Sequence, residues 1–237
     1  MPNRKKVNIS REVCNQWMND LNEITDSCIG NIGNKFKNFD IDIFNKEPKI
    51  LYNIYPHMTP ETLEIFHIMR IKQTWLLRHS VNVAILSFII TRCLSLEEHK
   101  IQNIITGALL HDVGKMVIPG HILQKPAALD QEEMALIYRH SLSGYHMIFD
   151  SDISPESKFI VLQHHERLDG SGYPEGLKGD DISEGAKIVM VADSLDAMTS
   201  YRPYKTAQSM PKALESIRKD GDKYDQTIIA ALRQLLP

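Results

Sequence analysis

Cysteine is scarce in this chain and carries no pattern. Cys14, Cys28 and Cys93 are the only three among 237 residues. An odd number without paired spacing excludes a disulfide framework or a thiolate metal finger. Reduced thiols in a cytoplasmic protein are the expectation. Long apolar runs are missing too. The most apolar stretch, VNVAILSFII, is well short of the ~20 residues a bilayer crossing needs. It reads as a buried helix, and no membrane span is expected. The opening MPNRKKVNISREV has basic residues with no apolar core behind them, so it is not read as a secretory signal. Excess positive charge is also lacking: 27 Lys and Arg face 30 Asp and Glu, for a formal net charge of −3. No basic field invites a DNA or RNA duplex, so any grip on an anion must be local. Strand-type alternation is nearly absent, and neither repeats nor low-complexity segments occur. No serine or cysteine sits in a triad-like setting, so a protein nucleophile is not expected.

What is present is helical periodicity. Ile9, Val13, Trp17, Leu21, Ile24 and Cys28 recur at spacings of three and four, one face of a helix over 8–28. A glycine- and asparagine-rich linker follows. From TPETLEIFHIMR onward the pattern is helical again, with Thr59 as a cap and Pro60 in the first turn. Further helices are predicted over 73–94, 97–112, 130–149, 155–166, 184–200, 210–219 and 225–236. Asp130 and Glu133 outline a capping box at the start of the 130–149 helix. The fold class is therefore all-α, a helical bundle with one long glycine-rich loop at 167–182.

Charge is unexpected inside such helices, because an unpaired buried ion costs several kcal/mol. Yet GALLHDVGK puts His111 and Asp112 after an apolar run, and KIVMVADSLDAM does the same with Asp193. WLLRHSVNVAIL holds His79, LIYRHSLSGY holds His140, and FIVLQHHE ends on His164 and His165. A lone histidine of this kind is usually a packing residue. Five histidines and two aspartates are hard to satisfy one by one, whereas a shared metal centre satisfies them together. Neighbouring helix residues point about 100° apart, so His111 and Asp112 suit two close cations with the carboxylate bridging. Seven ligands fit two metals at the about 3.5–4 Å separation of two-metal hydrolases. Imidazole and carboxylate without thiolate suit Fe, Mn or Zn.

With HDVGK, HHERLDGSGYP and TSYRPYK in this order, the chain resembles the HD-GYP family of bacterial cyclic-di-GMP phosphodiesterases, within the HD-domain metal phosphohydrolases. The likeness covers roughly 60–237. It implies an N-terminal helical extension at 1–58 and a catalytic domain at 59–237. By this resemblance His79, His111, Asp112 and Asp193 are ligands of one metal. Asp112, His140, His164 and His165 are ligands of the second, with Asp112 shared. Lys115 is the implied phosphate-facing catalytic lysine. Arg202 and Lys205 match substrate phosphate contacts, and Gly172, Tyr173 and Pro174 match the name-giving loop. One departure matters. Some members carry a glutamate four residues before the first histidine, supporting a third metal; here Trp75 stands there, so two divalent metals are expected.

The implied reaction opens cyclic-di-GMP to linear pGpG, using hydroxide formed from a water that the two metals share. Onward cleavage to GMP is expected to be slow. A hybrid cyclic GMP-AMP is the alternative substrate, and a non-catalytic cyclic-dinucleotide effector the alternative class. Several residues keep two readings. Glu166 and Asp169 either hold the His164 and His165 rings or tie down the loop. Asp196 either supports the metal ligands or caps a helix. Tyr173 either contacts substrate or anchors its loop. The 8–28 helix either packs on the bundle, pairs with a second copy in a homodimer, or binds another partner.

Overall fold

The computed structural model describes residues 10–33, 60–200 and 206–235. These form eleven helices and no strand: α1 (Arg11–Gly33), α2 (Pro60–Lys72), α3 (Thr74–Cys93), α4 (Glu98–Leu110), α5 (Gly120–Leu123), α6 (Gln131–Tyr138), α7 (His140–Ile148), α8 (Pro155–Gln163), α9 (Glu184–Thr199), α10 (Met210–Lys219) and α11 (Gln226–Arg233). The fold is all-α, as the periodicity predicts. The expected cap at Thr59, most of the linker, Arg202 and Lys205 lie outside the described residues.

The core is organised around α3. Leu76, Leu77, Val81 and the run Val83–Thr91 are all buried, because α1, α2, α4, α9 and α11 surround the helix. A helix apolar on every side needs such a coat. By length and composition α3 could cross a membrane, but 78% of its most apolar window is buried inside the bundle. That burial accounts for its composition as core.

The helix ends follow local chemistry. Asp130 and Glu133 form a reciprocal capping box on α6. Ser154 caps α8, Ser183 caps α9 and Asp225 caps α11, each accepting a backbone N–H two or three residues on. One close contact sets the position of the site. A Cβ on Gly107 of α4 would lie 2.7 Å from Ile160 Cβ, and one on Gly185 of α9 would lie 2.6 Å from Ile160 Cδ1. Ile160 of α8 thus wedges between α4 and α9 where both lack side chains. His111 and His164 each follow a member of this wedge by one helical turn.

Several expected boundaries change, and the helices predicted over 155–166 and 225–236 stop at Gln163 and Arg233. The helix predicted over 130–149 is two helices, broken at Arg139. The helix predicted over 97–112 stops at Leu110, and His111 and Asp112 lie on the turn that follows it. Next comes a 3-10 turn, Val113–Val117. The first helix begins later than 8 and runs on to Gly33. It buries Leu21, Ile24, Cys28 and Ile32 and packs on α2 and α3, with Asp20 paired to Arg70 at 2.9 Å. Of the three readings of this helix, packing on the bundle is the one observed.

Candidate metal centre

Asp112 lies at the centre of the site. Its Oδ1 is 3.2 Å from His140 Nε2 and 3.8 Å from His164 Nε2. Its Oδ2 is 3.3 Å from His111 Nε2 and 3.5 Å from His79 Nε2. His79 Nε2 is also 3.1 Å from Asp193 Oδ1, and His165 Nδ1 is 4.0 Å from Asp193 Oδ2. Two groups emerge. Asp112, His140, His164 and His165 have ligand atoms within 4.8 Å of one another, and so do His79, His111 and Asp193. These are the seven residues singled out in the sequence: Asp112 falls with His140, His164 and His165, and its Oδ2 also lies within 3.5 Å of His79 and His111.

The orientation of the rings follows from helix ends. The last carbonyls of a helix have no intrahelical donor. Three histidines use them: His111 Nδ1 lies 2.7 Å from Ala108 O, His140 Nδ1 2.5 Å from Ile137 O, and His164 Nδ1 2.9 Å from Val161 O. A carbonyl only accepts, so each Nδ1 carries the proton and donates it. In the neutral ring Nε2 is then a bare lone pair. The break at Arg139 has this consequence, since it lets His140 reach back to the end of α6. The same region needs Gly114: a Cβ there would lie 1.9 Å from His140 O and 2.5 Å from Gly144 N. The 3-10 turn therefore crosses α7 in backbone contact, which brings Asp112 against His140.

The lone pairs converge, which tests whether a cation fits. His140 Nε2 and His164 Nε2 face each other at 3.2 Å, and His111 Nε2 and Asp112 Oδ1 are buried with no hydrogen-bond partner. Two bare imidazole nitrogens in contact repel, and buried unpaired acceptors cost about 1–3 kcal/mol each. A divalent cation reverses both effects, and nitrogen and carboxylate oxygen are its proper donors. The residues fit divalent metal binding.

Electrostatics point the same way. Burial pushes the His164 ring well below the usual histidine range, with His165 and His111 adding to the effect. Burial likewise pushes His165 down, against the pull of Asp193. Both are neutral and able to ligate. Burial opposes charge on Asp112 and Asp193, but His111 and Lys115 around the first, and His79 bonded to the second, hold both carboxyls well below their usual range. His79 differs: burial is outweighed by Asp193 and Asp196, which raise its pKa to about 10, so this ring holds a proton that a cation would have to displace.

Asp196 resolves one open reading. Its Oδ2 is 2.7 Å from His79 Nδ1, while Asn82 Nδ2 and Ser200 Oγ donate to its Oδ1. It orients the His79 ring. Glu166 resolves the other way. It is fully buried, and its carboxylate accepts from Glu175 N at 2.8 Å and Leu177 N at 3.0 Å. It ties the glycine-rich loop to the end of α8 and does not hold a histidine. Asp169 accepts from Ser171 N and Ser171 Oγ, a local turn within the loop. The loop's Tyr173 stacks on His165, with ring centroids 4.7 Å apart, and Tyr138 packs on the far side of Tyr173 at 4.5 Å. Burial beside Asp112 and Asp193 pushes the Tyr173 hydroxyl upward, so it stays protonated. Gly172 lies against the backbone of Glu166 and Arg167, and Pro174 follows Tyr173 through a cis peptide. Lys115 Nζ donates to Asp112 Oδ2 at 2.6 Å. Sequence reasoning missed the three helix-end carbonyls and Tyr138. The available signal was a histidine placed at the end of each apolar helical run.

Comparison with known proteins agrees with this geometry. A family profile described as HD domain matches residues 65–228. A cyclic di-GMP phosphodiesterase response regulator, RpfG, from Xanthomonas campestris pv. campestris is 42% identical over 59% of this chain and 38% of its own length. A cyclic di-GMP phosphodiesterase from Thermotoga maritima is 36% identical over 81% of this chain and 54% of its own. A 3'3'-cGAMP-specific phosphodiesterase 3 from Vibrio cholerae is 33% identical over 67% of this chain and 35% of its own. The chain thus spans about half or less of these curated relatives. Among solved structures, Bd1817, an HDG"Y"P protein from Bdellovibrio bacteriovorus, superposes with a TM-score of 0.61 at 23% identity. That superposition covers 92% of this chain and 72% of Bd1817, and it carries the fold. The resemblance read from the motifs is borne out at the level of family. Seven histidine and aspartate side chains fit to hold metal on a helical scaffold, and a profile spanning most of the chain, agree: this protein belongs to the HD domain family.

Proposed function

We propose that the chain is a metal-dependent phosphodiesterase that opens a cyclic dinucleotide, cyclic-di-GMP, to linear pGpG. The observation that carries this reading is the convergence of bare imidazole nitrogens and the two oxygens of Asp112 on one small volume. Two cations would be held, by His79, His111 and Asp193 on one side and by His140, His164 and His165 on the other, with Asp112 available to both. Bound divalent metal would supply an acidified water and neutralise charge on the phosphate. Iron or manganese is preferred over zinc as the donor set's partner.

The chain's own residues do the rest. Lys115, half-way out of the core beside Asp112, offers its ammonium to a non-bridging phosphate oxygen. The same ammonium can protonate the departing ribose oxygen, a general-acid role. By the family resemblance Arg202, a planar fork, and Lys205, a point charge, would take substrate phosphate, though both lie outside the described residues. Tyr173 remains protonated against His165 and shields that side of the site from water. Because Trp75, 42% exposed, stands where a third-metal glutamate occurs in some relatives, the reaction stops at pGpG.

The names of the relatives support cyclic-dinucleotide hydrolysis for this chain, and they keep a hybrid cyclic GMP-AMP as the alternative substrate. Vibrio relatives named for 3'3'-cGAMP hydrolysis match it at 33% and 34% identity. Purification without oxygen, metal counting and product analysis with both dinucleotides test the proposal. About two equivalents of metal and accumulation of pGpG are expected. Metal near zero in protein produced with iron and manganese present would leave only a cyclic-dinucleotide effector. Rapid GMP formation would overturn the two-metal account.

A further inference from the structure

α6 is an anomaly of packing. Short helices are held by the apolar face they bury, yet α6 buries none of its eight residues. Its second half reads Met134, Ala135, Leu136, Ile137 and Tyr138, apolar throughout, with Leu136 38% exposed and Tyr138 48% exposed. The helix is fixed instead by its capping box, by the Lys125–Glu133 ion pair and by the Tyr138 ring. That ring is the outer step of an aromatic series. Tyr138 packs on Tyr173 at 4.5 Å with planes 34° apart, and Tyr173 stacks on His165 at 4.7 Å with planes 27° apart. The series runs from a metal-facing imidazole to an exposed phenol.

Resting on the phosphodiesterase reading above, we propose that Tyr138 is a base-stacking residue: the exposed face of its ring carries a purine of the cyclic dinucleotide while the attached phosphate sits at the metal centre. The chemistry fits the position. A purine is a flat, apolar surface with polar edges, and base–aromatic stacking is tolerant of base identity. An exposed tyrosine already packed against a second ring, tilted by 34°, offers such a surface without ordering a mobile side chain. The ladder also explains why two-turn α6 stays beside the site although it contributes nothing to the core. The ligand, not the bundle, covers its apolar end. Stacking at this point adds affinity shared by ground state and transition state, so it acts on KM and leaves kcat alone.

The test uses metal-loaded full chain with two substrates: cyclic-di-GMP, and bis(4-nitrophenyl) phosphate, a diester with no purine. Tyr138→Ala is expected to raise KM for cyclic-di-GMP about ten-fold, within the range of one base stack. It should leave kcat, the rate on the nitrophenyl diester and the melting temperature close to wild type. Tyr138→Phe, which keeps the ring, is expected to restore the wild-type KM. An unchanged KM in Tyr138→Ala overturns the inference. Parallel loss on both substrates overturns it as well, and makes Tyr138 a positioning residue for Tyr173 and His165. Wild-type protein that cleaves the nitrophenyl diester but no cyclic dinucleotide sinks the functional reading itself, and this inference with it.

Discussion

Two of the regions that bury polar atoms without hydrogen-bond partners differ in where those atoms point. At the metal centre His111 Nε2 and Asp112 Oδ1 are unpaired, with His140 Nε2 and His164 Nε2 beside them at 3.2 Å from each other. Where α1 meets α2, Asn22 Oδ1, His67 Nδ1 and Arg70 Nε are unpaired too. In the first region every orphan is an acceptor and all converge. In the second, donors and acceptors are mixed, His67 stacks on Trp17 at 4.6 Å, and Arg70 already has Asp20. Convergent acceptors ask for a cation, whereas scattered mixed groups are the cost of an irregular packing seam. Burial alone does not separate function from packing; agreement in direction and sign does.

The comparison breaks most visibly if Asp112 is removed. Asp112→Ala deletes the carboxylate whose two oxygens face the two ligand groups, and leaves Lys115 without its partner. Metal content is expected to fall to background and diester hydrolysis to become undetectable, with the helical circular dichroism retained. Metal bound at wild-type stoichiometry in this variant would show that Asp112 is not the bridge. Next in size is Glu166→Ala. It leaves the N–H groups of Glu175 and Leu177 without their charged acceptor. Bonds to a charged group contribute about 1.5–3 kcal/mol each. A stability loss of about 3 kcal/mol is expected, read by chemical denaturation, with faster amide exchange confined to 167–182.

Asp196→Asn sharpens the comparison from outside the ligand set. Asp196 touches no proposed cation position, yet it fixes the His79 ring through Nδ1. Loss of such a partner typically weakens metal affinity by about 10–100-fold. A competition titration should find that weakening at unchanged stoichiometry. An unchanged affinity would mean that His79 is oriented by Asp193 alone.

Much of this was legible in the sequence because ligands leave a signature that packing does not. A histidine or aspartate placed directly after Ala-Leu-Leu or Val-Met-Val-Ala contradicts the burial of its own helix, and five such contradictions pointed to one place. The helices were legible from period, and one start from its capping box at Asp130; the caps Ser154 and Ser183 were seen only in the structure. What was hidden is the work of the backbone. The split at Arg139 is invisible to periodicity, because 131–138 and 140–148 stay in helical register on either side. It arises from tertiary demands, the close crossing at Gly114 and the reach of His140 to Ile137 O. The role of Glu166 was hidden for a related reason. Its partners are main-chain N–H groups nine and eleven residues on, which any residue type there would supply.

The smallest effect should come from the contrasting region. His67→Phe keeps a ring against Trp17 and removes a buried nitrogen that has no partner. Replacing an unsatisfied polar group by an apolar one of similar shape is nearly neutral or slightly stabilising, by less than about 1 kcal/mol. The difference should depend on pH. Burial, with Arg70 adding to it, pushes the His67 ring below the ordinary histidine value of 6.5, against the weaker pull of Asp20 and Glu64. Below that value the unfolded chain takes up a proton that the folded chain resists, so wild type loses stability as the pH falls through 6.5. Above it the two states bind equally and the effect vanishes. Denaturation of wild type and His67→Phe at pH 7.5 and pH 5.5 should therefore give curves that separate only at the lower pH, with the variant the more stable. Metal content and diester hydrolysis should be unchanged throughout. A fall in metal content in His67→Phe would mean that the α1–α2 seam and the metal centre are one coupled unit, and the distinction between convergent and scattered orphans would lose its force.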